Sequence, residues 1–375
     1  MNIGILKEAA PERRVCLLPE SVATLVKMGV AILAERDAGG TAFASDADYE
    51  AAGAKVAAKE QVIAGSDMLV KISLPTDQEI SLMKEGQVLI TVLNPFFNAA
   101  LVKTLAAKGI TSFSMDVIPR TSRAQAMDIL SSMATVAGYK AVLTAANSLP
   151  KFFPMFMTAA GTITPAKVLI LGAGVAGLQA IATSRKLGAV VEAFDVRSAV
   201  KEEVQGLGAK FVEVEGATDD KAAGGYAVEQ SDEFKKKQAA VIHEHAVKSD
   251  VIICTAQIPG RKAPLLIRKE TVEGMKAGSV VIDLAASTGG NCEVTQNDKT
   301  VIHHGVTIIG NSSFPVDMPS DASKMYGKNV INFLKLMITQ KGELHLNWDD
   351  DLVKGTCVTH NKEVVHERVK SVINT

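Results

Sequence analysis

Over roughly the first 118 residues, short apolar, β-branched runs alternate with stretches whose apolar residues recur three and four apart. "NIGIL", "VAILAE", "DMLVKIS", "QVLITVL" and "ITSFSMDV" have strand character, whereas "PESVATLVKMG" and "NAALVKTLAAKG" have the spacing of amphipathic helices. Such alternation predicts crossover connections and a first parallel sheet. No glycine fingerprint occurs in it. Residues 125–148 then have helical composition, with Gly138 nearly the only breaker and Pro150 as the stop. A helix of that length predicts passage from one domain into the next.

After "TITPAK" the alternation resumes with "KVLILG", "AVVEAFD", "AKFVEV", "DVIICTA", "SVVIDLA" and "VTIIG". Six strands, the first feeding a glycine turn, match a doubly wound dinucleotide-binding sheet. Residues 216–232, "GATDDKAAGGYAVEQSD", are polar without an apolar period and read as a mobile loop. Residues 320–337 form an amphipathic pattern suited to return the chain to the first domain, and "ELHLNWDDDLVKGTCVTHNKEVV" reads as a short hairpin. The expected fold class is α/β, with two Rossmann-like domains of mostly parallel sheets joined by long interdomain helices. The first comprises residues 1–135 plus 320–375, the second 136–319.

Composition sharpens this picture in three ways. Hydrophobic residues make up 47% of the 375 and aromatic ones only 5%, so the cores are aliphatic, as buried parallel strands require. Forty basic against 41 acidic side chains, without a long basic run, leave no phosphate-tracking patch, and no nucleic-acid partner is expected. Cys16, Cys254, Cys292 and Cys357 are far apart and form no C-x-x-C pair, so they read as buried thiols of a reducing compartment. The apolar run in "MNIGILKEAAPERR" is too short for a signal peptide, and the weakly polar stretch 168–183 is broken by three glycines. A soluble, cytoplasmic chain is the expectation.

The candidate chemistry lies in two places. Gly172, Gly174 and Gly177 fit G-x-G-x-x-G directly after a strand and at the opening of a helix. Gly172 permits the turn, Gly174 lets the backbone approach a pyrophosphate, and Gly177 lets helix and strand pack closely. Asp195, 18 residues after Gly177 at the end of the next apolar run, is placed to accept from an adenosine ribose and to repel a 2′-phosphate, which selects NAD(H). Arg197, two residues on, is a group that serves NADP in other sites. The second place is "PRTSRAQAMDILSS", 119–132, where Arg120, Gln125, Asp128 and Ser131 gather beside Thr121 and Ser122. On a helix from Gln125, Asp128 and Ser131 share a face, and Arg120 is able to steady Asp128 or donate to a nicotinamide carboxamide. A capped helix start with a surface ion pair accounts for the same spacing.

Histidine, the commonest base for alcohol or amine oxidation, is absent before His243. His243 and His245 face apart on a helix, a strand sends His303 and His304 to opposite sides, and none has metal-ligand spacing, so no metal site is predicted. Lys7, Lys71 or Asp128 remain as substitute bases.

Taken together, "PRTSRAQAMDILSSMATVAGYKAV", "AAGTITPAKVLILGAGVAGLQAIATSRKLGAVVEAFDVR", "AGGYA", "TAQIPGRKAPLLI", "GSVVIDLAASTGGNCE" and "GTCVT" occur in an order that resembles one family over essentially the whole chain. It is the NAD(H)-binding alpha subunit, domain I, of the proton-translocating nicotinamide nucleotide transhydrogenase. The resemblance implies that Arg120, Gln125, Asp128 and Ser131 lie beside the nicotinamide, with Gln125 reaching toward the nucleotide on a partner subunit. It implies cofactor contacts from Arg120, Thr121, Ser122, Gly172, Gly174, Val175, Gly177, Asp195, Val196, Arg197, Gly225, Ala256 and Gln257, and a Tyr226 that closes over bound NAD. Gln257 stands where relatives carry Leu.

It further implies direct hydride transfer from NADH to NADP⁺ on an NADP(H)-binding partner, coupled to proton passage through membrane-spanning subunits. The chain would be a homodimer, peripheral on the cytoplasmic face of the inner membrane. Alanine dehydrogenase looks like the same two-domain fold. Its Arg and Lys are matched by Arg14 and Lys71, but Asn94 and Ser287 stand where its His and Asp would be. Transfer between two C4 atoms moves no heteroatom proton and needs alignment rather than a base. A non-enzymatic alternative, an NAD-responsive regulatory module, would keep the glycine fingerprint and have no use for the 120–131 loop.

Overall fold

The structure, a computed structural model, describes residues 1–214, 216, 231–257 and 261–373. The chain divides into two compact units, Met1–Met133 with Val316–Thr375, and Ala134–Pro315. The amino-terminal part runs β1 (Asn2–Ile5), α1 (Pro19–Lys27), β2 (Ala31–Glu35), α2 (Asp46–Ala51), β3 (Ala54–Ala57), α3 (Lys59–Gly65), β4 (Met68–Val70), α4 (Asp77–Leu82), β5 (Val88–Thr91), α5 (Ala99–Ala107) and β6 (Thr111–Ser114). Helix α6 (Ile129–Ser148) crosses the division.

The second unit continues with β7 (Phe156–Thr158), β8 (Gly161–Ile163), β9 (Lys167–Leu171), α7 (Val175–Lys186), β10 (Val190–Phe194), α8 (Lys201–Gly206), β11 (Lys210–Phe211), α9 (Asp232–Ala246), β12 (Val251–Cys254), α10 (Lys269–Glu273), β13 (Val280–Asp283), β14 (Lys299–His303) and β15 (Val306–Gly310). The return to the first unit supplies α11 (Pro319–Leu334), α12 (Asp351–Thr356), β16 (Cys357–His360), β17 (Glu363–Val364) and α13 (Glu367–Ile373).

Both large sheets are wound alike. The first has the order β3-β2-β1-β4-β5-β6, all parallel, extended by antiparallel β16 and β17. The second has β11-β10-β9-β12-β13-β15, all parallel, with antiparallel β14 at its edge. Each therefore has a point where successive strands step to opposite sides, between β1 and β4 and between β9 and β12, which is where doubly wound sheets bind ligands.

The first core is completed by the returning segment. Tyr326, Val330, Phe333 and Leu334 of α11 are buried with Ile3 and Ile5 of β1 and Met68 and Val70 of β4. In the second unit Ala141, Val142 and Ala145 of α6 pack with Val168, Ile170, Ala180 and Ile181. By length and composition alone α6 could cross a bilayer, but this face belongs to a core. Close packing explains the helix-breaking Gly138 within α6, because a Cβ there would collide with the Ala176 carbonyl of α7.

Four expectations need correcting. Residues 122–127 form a 3₁₀ turn and α6 begins at Ile129, not Gln125. The chain leaves the second unit through a 3₁₀ turn, Phe314–Asp317, rather than a long helix. The second sheet has a seventh strand, β14, whose alternation is masked by Lys299, Thr300 and His303. The terminal hairpin is confined to β16 and β17 and follows the short helix α12, which the Asp350 carboxylate caps.

Candidate functional site

Why the chain turns sharply after β9 follows from its glycines. Gly172 has φ +99, a conformation L side chains rarely adopt. A Cβ at Gly177 would strike the Gly172 carbonyl oxygen, so only glycine lets α7 come this close to the turn. Gly174 differs, because among the described residues a Cβ there would meet nothing within 4 Å. Its backbone borders space that no described residue fills. The first bond inside α7 runs from the Leu178 N–H to the Gly174 carbonyl at 2.8 Å, so the preceding amides have no partner within the helix and suit an anion. Val175, at the head of α7, is exposed.

Asp195 lies directly beyond β10 and holds this turn. Its Oδ2 accepts the Ala173 N–H at 2.7 Å. The Arg197 N–H and Nε donate to Oδ1 at 2.9 Å each, and Nη2 donates to Oδ2 at 2.7 Å. Four donors fill the acceptor positions of the carboxylate, whose side chain is 6% exposed. A further hydrogen-bond donor can reach it only when the guanidinium swings aside. Val196 packs its side chain against the core beneath.

The loop after β12 closes the other side of the switch point. The Thr255 N–H donates to the Leu171 carbonyl and its hydroxyl to the Gly172 carbonyl, both at 2.8 Å. Buried Asn291 holds Ala256 from both sides, its Oδ1 accepting the Ala256 N–H at 3.1 Å and its Nδ2 donating to the Ala256 and Pro264 carbonyls at 2.8 Å. Asn291 is itself fixed by Asp283, which accepts from the Asn291 and Cys292 amides and the Thr295 hydroxyl. Burial pushes the Asp283 carboxyl above its ordinary range, against the pull of these hydrogen bonds. Exposed Gln257 donates from Nε2 to the Thr288 hydroxyl at 3.2 Å. Sequence reasoning missed Asp283 and Asn291. The signal was an Asp ending an apolar strand and an Asn after paired glycines. Gly225 and Tyr226, with most of the expected mobile loop, lie outside the described residues.

In the first unit, Thr121 caps the 3₁₀ turn by accepting the Ala124 N–H at 3.3 Å. Ala124 and Met127 anchor it in the core, while Arg120, Thr121, Ser122 and Gln125 are exposed. Asp128 is not on the helix face but caps it. Its Oδ1 accepts the Ser131 N–H at 3.0 Å and its Oδ2 the Ser131 hydroxyl at 2.6 Å. The surface ion pair belongs to Arg123, whose guanidinium bridges Asp350 and Asp351. The cations at Arg14 and Lys71 are already engaged. Arg14 forks onto Glu12, with Nε and Nη2 at 2.8 and 2.6 Å, and buried Lys71 Nζ lies 2.8 Å from Glu79 Oε2. Lys7 pairs with Asp37.

His243 and His245 do face apart, bonding Thr271 and Glu192. His303 and His304 are not sent to opposite sides. They stand at a hairpin turn and both approach Glu273, a convergence that a strand's alternation hides.

Two doubly wound sheets, one with a glycine-shaped turn at its switch point, define a nucleotide-fold class, and sequence comparison narrows it. Residues 4–137 match the model described as alanine dehydrogenase/PNT, N-terminal domain, and 141–367 that described as alanine dehydrogenase/PNT, C-terminal domain. The chain belongs to the alanine dehydrogenase/PNT family. It is similar to an NAD(P) transhydrogenase subunit alpha protein of Rhodospirillum rubrum, 46% identical over 377 residues and 98% of each chain. It is 30% identical to alanine dehydrogenase 2 of Staphylococcus aureus over 91% of this chain and 88% of that one. The crystal structure of transhydrogenase from Sinorhizobium meliloti superposes with a TM-score of 0.86 at 41% identity, covering 98% of this chain and all of that one.

Proposed function

We propose that this chain is the NAD(H)-binding alpha-type subunit of a proton-translocating transhydrogenase, an oxidoreductase in which hydride passes directly from NADH to NADP⁺ on a partner subunit. The observation that carries this reading over amino-acid chemistry is the state of Arg14 and Lys71. A site for a small substrate carboxylate needs an available cation, and here Glu12 and Glu79 already neutralise both. Asn94 and Ser287 add no ionisable group. The likeness to a transhydrogenase subunit over nearly the whole of both chains supports the same choice.

The open border of Gly174 fits a pyrophosphate, so Gly172, Gly174, Val175 and Gly177 would hold it against the head of α7. Asp195 would take the adenosine ribose after Arg197 moves, with Val196, Gly225, Tyr226, Ala256 and Gln257 completing the second domain's contacts. The bound reduced nicotinamide supplies a hydride. Arg120, Thr121 and Ser122 would bind its carboxamide side, and Asp128, fixed on Ser131, would keep the ring aligned while Gln125 reaches toward the partner's nucleotide. No residue has to move a proton.

The chain would be cytoplasmic and reach the inner membrane through its partners, so membrane co-sedimentation should require them. Phe156 and Met157 on the exposed β7–β8 hairpin, with Phe152 and Met155 before it, support a homodimer. Sedimentation at micromolar concentration should then give one dimeric species.

Two measurements test the function. The pure chain should bind NADH far more tightly than NADPH and should not oxidise NADH with pyruvate and ammonium; brisk oxidation there means alanine dehydrogenase. Asp128→Asn should lower hydride transfer to partner-bound NADP⁺ at least tenfold, whereas a regulatory module would be indifferent to it.

A further inference from the structure

The β14–β15 hairpin turns on His304 and Gly305, with φ of +49 and +76, the left-handed pair of a tight two-residue hairpin turn. A non-glycine residue at the first of these positions is uncommon, and histidine is one of the few that tolerate it. The result is that the two neighbouring imidazoles come together, with ring centroids 4.9 Å apart. The last residue of α10 meets them. His303 Nε2 lies 3.0 Å and His304 Nε2 3.8 Å from Glu273 Oε1.

We propose that Glu273, His303 and His304 bind one divalent transition-metal ion. The three ligand atoms all lie within 4.8 Å of one another, so an ion seated among them is at most about 2.4 Å from each, and small rotations of these exposed side chains would close that to the roughly 2 Å of a Zn–imidazole or Zn–carboxylate bond. Two imidazole nitrogens and one carboxylate oxygen select Zn²⁺, Co²⁺, Ni²⁺ or Cu²⁺ over Mg²⁺ and Ca²⁺, which take oxygen donors. The side chains are 24%, 59% and 34% exposed for His303, His304 and Glu273, leaving room for water at a fourth position. Lys269, 3.9 Å from Glu273 and exposed, is able to swing away. All four cysteines are buried and offer no competing thiolate.

The site is separate from the nucleotide site. The hairpin precedes the amino end of β15, whereas the glycine turn follows the carboxyl end of β9 on the same parallel sheet. A strand's length, about 15 Å, separates the two ends. The ion would tie α10 to β14, the edge strand of the sheet.

The test uses the full chain, stripped with EDTA and titrated with ZnCl₂ by calorimetry while its melting temperature is followed. One Zn²⁺ per chain should bind in the micromolar range and raise the melting temperature reversibly, and Mg²⁺ at the same concentration should do neither. His304→Asn keeps a residue tolerant of the left-handed turn, and Glu273→Gln keeps the side-chain shape. Each should weaken Zn²⁺ at least tenfold with NADH affinity and circular dichroism unchanged, while His345→Asn should leave Zn²⁺ binding as it was. Absence of binding at micromolar Zn²⁺, or equal binding by wild type and both variants, would overturn the site and leave only a surface ion pair.

Discussion

Asp195 and Arg197 form a pair whose two members want different ligands. The carboxylate suits the ribose hydroxyls of NADH and the guanidinium suits a 2′-phosphate, and while they hold each other neither is offered. In the proposed site, binding of NADH would therefore exchange one partner of Asp195 for another. In Asp195→Ser the Arg197 side chain loses its carboxylate partner, so NADH affinity should drop at least tenfold while NADPH affinity rises, as read by fluorescence titration. If NADPH gains nothing, the guanidinium has another restraint and the exchange is wrong. Asp128 shows the same economy. Its two oxygens order Ser131 and cap α6 at once, so a side chain proposed for the nicotinamide is held by the helix it starts.

Among the helices and strands, α4 is fastened to the end of β4 by Glu79 and Lys71, whose side chains are 2% and 3% exposed. Burial pushes the Glu79 carboxyl up. Hydrogen bonds from Lys71 and the Thr76 amide, with the charges of Lys71 and Lys59, outweigh it and hold the group below its ordinary 4.5. A depressed carboxyl stabilises fully above its unfolded value and loses that contribution as pH falls through the folded one. Glu79→Gln leaves a buried unpaired ammonium and should cost about 3–5 kcal/mol in urea melts at pH 7. The gap to wild type should narrow in acid. A cost under about 1 kcal/mol would mean that water or the nearby Glu8 carboxylate compensates Lys71.

Much of this scaffold was legible because the parallel strands are buried on both faces and read as continuous apolar runs. The strand β3 was not, since "AKVA" is four residues with an exposed lysine and no run to notice. The start of α6 was misplaced because "SRAQAM" has helical composition, yet Asp128 prefers to cap, and a capping aspartate ends one turn and begins another. The glycine fingerprint was readable residue by residue. Asp195's engagement with Arg197 was not, because spacing places two side chains near each other without saying whether they pair.

Across the entire chain, two units share one winding order and differ in how the polypeptide reaches them. The second is contiguous over Ala134–Pro315, whereas the first needs Val316–Thr375. During synthesis the ribosome releases the amino-terminal strands before α11 exists, so Ile3, Ile5, Met68 and Val70 wait without the Tyr326, Phe333 and Leu334 that cover them. An isolated 134–315 fragment should fold cooperatively and retain NADH affinity within about an order of magnitude, whereas 1–133 alone should expose apolar surface to a hydrophobic dye. A fragment 134–315 that stays unfolded would refute this order. The half that emerges first is thus the half finished last, and its apolar strands stay uncovered until the final segment has left the ribosome.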